Sequence, residues 1–75
     1  MLMENVNEGI RAAEVRAIFP DGTVEVMPTA VAVRRARAMG LDLVLVAPTA
    51  IPPVAKAVDY GLWLDEKNKN GRRDI

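Results

Sequence analysis

The sequence predicts an α+β domain: a β-β-α-β-β mixed sheet with one helix packed on one face, followed by a C-terminal helix. Three observations carry this. Two short runs of alternating apolar and polar residues flank a Pro-Asp-Gly turn. A run rich in alanine and arginine follows with helical spacing. Two strand-sized apolar runs come after it.

The first alternating run is "EVRAIF", residues 14–19, where Val15, Ala17 and Phe19 share a face and Glu14, Arg16 and Ile18 take the other. Pro20, Asp21 and Gly22 are a turn signal, with proline setting φ and Asp-Gly tolerating tight geometry. In "TVEVM", 23–27, Val24 and Val26 lie together and Glu25 opposite, so the two runs read as an antiparallel hairpin. "PTAVAVRRARAMG", 28–40, reads as a helix opened by Pro28 or Thr29 and ended by Gly40 at a C′ position. Ala32, Val33, Ala36 and Met39 share the face expected to pack on the sheet, and Arg34 and Arg37 point away. "LDLVLVA", 41–47, is a strand apolar on both faces, and "VAKAV", 54–58, is the fourth strand after a proline-bearing connector. Asp59, Tyr60 and Gly61 stop it as a tight turn, and a second helix begins from about Tyr60. Along the chain this gives an arm over 1–12, the α+β domain over 13–61, and a C-terminal helix with a polar tail over 62–75.

The totals narrow the chemistry. Seventy-five residues make one domain near the lower limit for a core without staples. With neither cysteine nor histidine, the chain has no disulfide, no His/Cys zinc site and no histidine-based triad. No apolar run nears the roughly 20 residues of a membrane-spanning helix, and the N-terminal "MLMENVNE" is too polar and acidic for a signal peptide. Ten basic and ten acidic residues cancel, which argues against a general nucleic-acid binder. The cations are nonetheless clustered, at Arg34, Arg35 and Arg37 and again at Lys67, Lys69, Arg72 and Arg73. Local patches of this kind act even at zero net charge. For the first cluster, a favourable interaction with the helix dipole is an equally sufficient reason.

Carboxylates occur singly or on exposed stretches, the threonine and tyrosine hydroxyls have no histidine partner, and the glycines form no phosphate-cradling loop. The expectation is a protein without catalytic activity, metal or cofactor. A binding role needs less: Arg11, Arg16 and Lys56 can flank an open sheet face or its edge and meet phosphates. Tyr60 suits stacking on a base, or equally an anchor at the strand-to-helix corner. Trp63, beside two leucines, reads as packing.

Several motifs in register, "VNEGIRAAEVRAI", the "DG" turn, "GLDLVLVAP" and "PPVAKAVDYG", together resemble the N-terminal domain of bacterial translation initiation factor 3, over about 6–66. The resemblance implies a non-enzymatic, cytoplasmic or organellar-matrix factor of protein synthesis. Its implied partners are the small ribosomal subunit, through ribosomal RNA and ribosomal proteins, and the initiator tRNA region, with no membrane. Positions carried over are Asn7, Arg11, Glu14, Arg16, Asp42, Lys56, Asp59, Tyr60 and Gly61. Of these, Arg11, Arg16, Lys56 and Tyr60 are the expected RNA or ribosome contacts, and Asn7, Asp42, Asp59 and Gly61 look like turn and capping residues. The family continues through a linker helix into a C-terminal domain carrying the main subunit-binding activity, which is therefore not implied for a chain ending at Ile75.

The chain departs from the family pattern in an apolar direction. Leu45 stands for a glutamate, Ala55 for a cysteine, Leu62 for a lysine and Asp65 for a tyrosine, and Val31-Ala32-Val33 for Glu-Ala-Leu. The alternative reading is a diverged or redesigned protein-interaction or self-associating module on the same fold. Val31, Leu45 and Leu62 would be its interface and a homo-oligomer its product.

Overall fold

The computed structural model describes residues 5–64. Its elements are a single 3-10 turn (Asn7–Gly9), β1 (Glu14–Ile18), β2 (Val24–Pro28), α1 (Thr29–Ala38), β3 (Asp42–Ala47) and β4 (Val54–Val58). A short helix α2 begins at Tyr60 and is described to residue 64. The rest of the expected C-terminal helix, with Asp65 and the cations Lys67, Lys69, Arg72 and Arg73, lies outside the described residues.

The hairpin forms where Pro20 and Asp21 place it. The Gly22 N–H donates to the Phe19 carbonyl at 3.0 Å, and the Phe19 N–H to the Thr23 carbonyl at 2.9 Å. Gly22 sits at φ 94°, a left-handed conformation that a side chain disfavours, completing a three-residue hairpin loop. The Asp21 carboxylate accepts the Thr23 N–H at 2.9 Å. That bond is the largest cause, followed by one to the Thr23 side chain, holding its carboxyl below the usual aspartate value.

Helix α1 ends in a Schellman motif. The Leu41 N–H donates to the Ala36 carbonyl at 2.9 Å and the Gly40 N–H to the Arg37 carbonyl at 2.9 Å, with Gly40 at φ 73°. This closure reverses the chain and turns Leu41 onto the core, where Met39 was expected. Met39 is the C-cap residue, outside the helical repeat, and is 45% exposed. Ala32, Val33 and Ala36 are buried as the spacing predicts, and Thr29 joins them. The Thr29 hydroxyl donates to the Ala12 carbonyl at 2.6 Å, so its burial leaves no polar atom unsatisfied.

The four strands lie in the order β2-β1-β4-β3. β1 pairs antiparallel with β2 and parallel with β4, and β3 pairs antiparallel with β4, so the sheet is mixed. The chain leaves the hairpin, crosses through α1 to the far edge as β3, and returns as β4 into the gap beside β1. The connector helps to seat it: the Pro53 carbonyl accepts the Arg16 N–H at 2.8 Å. A bulge at Val46 shifts the β3–β4 register between Leu45 and Ala47.

The core lies between α1 and one sheet face. Val15, Ala17, Met27, Leu43, Ala55 and Ala57 come from the strands, with Phe19 just past β1, Ile10 from the arm, and Ala32, Val33 and Ala36 from the helix. Alanines on both layers let helix and sheet approach closely, so the buried volume is small. Leu43 and Val15 are the core's largest fully buried side chains, and Val44, also fully buried, lies on the opposite sheet face. The arm lies on this body. Val6 forms a single bridge with Val44, and the Leu45 N–H donates to the Asn5 carbonyl at 2.7 Å. That pairing covers part of the β3 edge.

Candidate functional site

Strand alternation divides the sheet into a face under α1 and an open one. Residues paired in register share a face. Arg16 aligns with Val26 on β2 and Val54 on β4, and Ile18 aligns with Val24 and Lys56, with Lys56 in turn opposite Val44. Val44 is fully buried at the β3 side of this face, and the exposed remainder is a strip of valine and isoleucine bearing Arg16 and Lys56 on adjacent central strands. They are offset by two residues, with Cα atoms about 8 Å apart from strand spacing and rise. Val24, 54% exposed, and Val26, 43% exposed, belong to this outer strip, while their neighbour Met27 enters the core.

The acids on the same face stand at its two ends, Glu14 opposite Pro28 and Asp42 opposite Val58. Asp42 is engaged by the Asn7 amide at 2.9 Å. Arg16 and Lys56 are exposed and make no ion pair among the described residues, where the pairs are Arg35–Glu25 and Arg37–Glu8. Two free cations over an apolar platform suit a ligand that brings negative charge and flat or apolar surface together, the aliphatic stems adding contact area.

The other residues singled out in the sequence are dispersed. Arg11 is exposed in the segment leading into β1, and Tyr60 follows the far end of β4, so the parallel β1–β4 pair separates them by the length of the sheet. Tyr60 is half-buried and stacks on Trp63, with ring centroids 5.9 Å apart and planes at 21°. The second helix starts at Tyr60 as expected, so Asp59-Tyr60-Gly61 ends β4 by opening α2 directly. The Asp59 carboxylate accepts the Leu62 N–H at 3.2 Å as an N-cap, and its carbonyl accepts the Trp63 N–H at 2.9 Å. Val31 and Leu45 are half-buried and pack against the core, whereas Leu62 is 65% exposed on α2.

The three helix arginines separate into different roles. Arg35 lies 3.6 Å from Glu25 and holds its guanidinium 5.4 Å from the centroid of the Phe19 ring, which fixes α1 to the hairpin. Arg37 donates to Glu8 at 2.7 Å and ties the helix to the arm. Arg34 is left exposed and without a hydrogen-bond or ion-pair partner among the described residues. Sequence spacing placed Arg34 and Arg37 on one outward face and could not separate them, because Glu8 is 29 residues from Arg37. Among the described residues no cluster of acidic side chains could hold a metal ion, and no helix is long and apolar enough to cross a membrane.

Fold and surface together define a small α+β module that packs one sheet face under α1 and leaves part of the other, around Arg16, Lys56, Val24 and Val26, exposed. The chain matches the family described as Translation initiation factor IF-3, N-terminal domain, over residues 6–74. It is similar to Translation initiation factor IF-3 of Solibacter usitatus, 76% identical over 58 residues that cover 77% of this chain and 27% of the relative. The factor of the same name from Thermus thermophilus is 52% identical over 62 residues, 81% of this chain and 36% of the relative. That of Borrelia duttonii is 47% identical over 64 residues, 85% and 34%. The chain belongs to the translation initiation factor IF-3 family and corresponds to its N-terminal domain. It spans about a third of the length of these curated relatives.

Proposed function

We propose that this domain is a non-enzymatic ribosome-binding module that associates with the small ribosomal subunit near the initiator tRNA, meeting ribosomal RNA and ribosomal proteins through its open sheet face. The observation that carries the reading is the Arg16–Lys56 pair, two exposed cations on neighbouring central strands with no ion-pair partner among the described residues. Arg11 and Tyr60 extend the contact at opposite ends of the sheet. The family relationship supports the process, and a sequence without histidine or cysteine is in keeping with a role in binding.

Self-association through Val31, Leu45 and Leu62 is less well supported. Val31 and Leu45 spend part of their surface on the core, and only Leu62 is largely exposed.

Co-sedimentation with purified small subunits across a salt series tests the proposal. Association is expected to weaken with salt, and an Arg16→Ala, Lys56→Ala double variant is expected to lower the log–log salt slope by about one to two. Undiminished binding by the double variant would refute the assignment of this face. No binding at low salt, together with a concentration-dependent dimer dissociated by Leu45→Glu, would refute the ribosome reading itself.

A further inference from the structure

The helix side of the domain carries a second surface that the ribosome-directed reading leaves unused. Between the arm and α1 runs a groove of about 570 Å3, a size within the usual range for a built binding site. Ile10, Ala12, Ala30 and Val33 line it with aliphatic carbon, and Arg34 and Arg37 stand along it from the helix. Arg37 is neutralised by Glu8, which leaves Arg34 as the uncommitted charge.

We propose that this groove docks a protein segment presenting an apolar side chain next to a carboxylate, with the carboxylate on Arg34. Charge complementarity selects the occupant. A single carboxylate needs a single cation, and the apolar lining takes the side chain beside it. A nucleic acid carries a phosphate at every nucleotide and would meet only one free cation, since Arg37 and Glu8 neutralise each other. The groove also depends on the arm, since one wall is the arm segment and the other is α1. Asn7 pins that segment to β3 through Asp42 and the Leu43 N–H, so a docked arm is a condition for binding. This surface lies across the sheet from Arg16 and Lys56 and stands independently of their role.

Isotope-labelled protein is titrated, with backbone amide shifts followed by NMR, against a Gly-Ser-Leu-Glu-Leu-Ser-Gly peptide, its lysine-for-glutamate counterpart and a short uridine oligonucleotide. The acidic peptide is expected to shift Ala12, Ala30, Val33 and Arg34 saturably, and the lysine peptide to bind about tenfold more weakly or less. Arg34→Glu is expected to weaken the acidic peptide by a similar factor at unchanged thermal stability, with Arg34→Gln as the milder check on folding. The Arg16→Ala variant should bind it normally. Three outcomes would each overturn the proposal: no groove shifts up to millimolar peptide, equal binding of the lysine peptide, or the same shifts produced by the oligonucleotide.

Discussion

The Asn7 side chain joins the arm to β3 by two hydrogen bonds at once, its amide donating to the Asp42 carboxylate at 2.9 Å and its carbonyl accepting the Leu43 N–H at 2.9 Å. Asn7 does this from φ 49°, a left-handed backbone that asparagine tolerates better than most residues. Side chain and backbone conformation therefore favour the same residue type. Replacing Asn7 with alanine removes both bonds and leaves the strained φ, an expected loss of about 1–3 kcal/mol. Urea denaturation measures the total, and faster amide exchange at Leu43 and Leu45 would show that the arm opens first.

The Glu8 carboxyl is held below the ordinary glutamate value, first by a backbone N–H of its own residue and then by the Arg37 guanidinium. A depressed carboxylate adds stability that is complete above its unfolded pKa and is lost as pH falls through the lower folded value. Asp21 follows the same sign at the hairpin tip. The arm is therefore expected to loosen as pH drops below about 4.5, before the sheet melts. Amide shifts of residues 7–10 followed across this range test it, and Glu8→Gln should flatten their dependence.

Gly40 and Met39 give a paired prediction at the end of α1. A Cβ on Gly40 would meet nothing within 4 Å, so Gly40→Ala tests backbone conformation alone. At φ 73° it is expected to cost about 1–2 kcal/mol. Met39→Ala, at a position 45% exposed, should stay within about 1 kcal/mol of the parent. A Met39 effect larger than that of Gly40 would place Met39 in the core after all.

Leu43 is fully buried in a core built largely of alanine and valine. Leu43→Ala is expected to cost about 2–5 kcal/mol, since surrounding alanines have little side chain with which to refill the space. Set against the roughly 5–15 kcal/mol typical of a domain, this is a large share. Thermal unfolding checks the magnitude.

Period-two alternation in β1 and β2 and the 3-and-4 spacing of Ala32, Val33 and Ala36 made the element order legible from the chain alone. So did the Pro-Asp-Gly turn and the Gly40 stop, because these signals are local: backbone φ, side-chain alternation and capping are decided within a few residues. Arg16 and Lys56 are marked as candidate contacts by the motif positions they share with the family, a signal carried by the residues themselves.

Only tertiary contact decided which alternating face is covered and what the remaining charges do. Val24 and Val26 share a face of β2 in the sequence, and pairing with β1 turns that face outward beside Arg16 and Ile18 while Met27 goes in. Arg34, Arg35 and Arg37 are alike in sequence. Glu25, the Phe19 ring and Glu8 engage Arg35 and Arg37 and leave Arg34 without such a partner among the described residues. The insertion of β4 between β1 and β3, and the return of the arm onto Asp42, join residues tens of positions apart. Local periodicity states which residues share a face; burial and charge pairing depend on what the rest of the chain brings to that face.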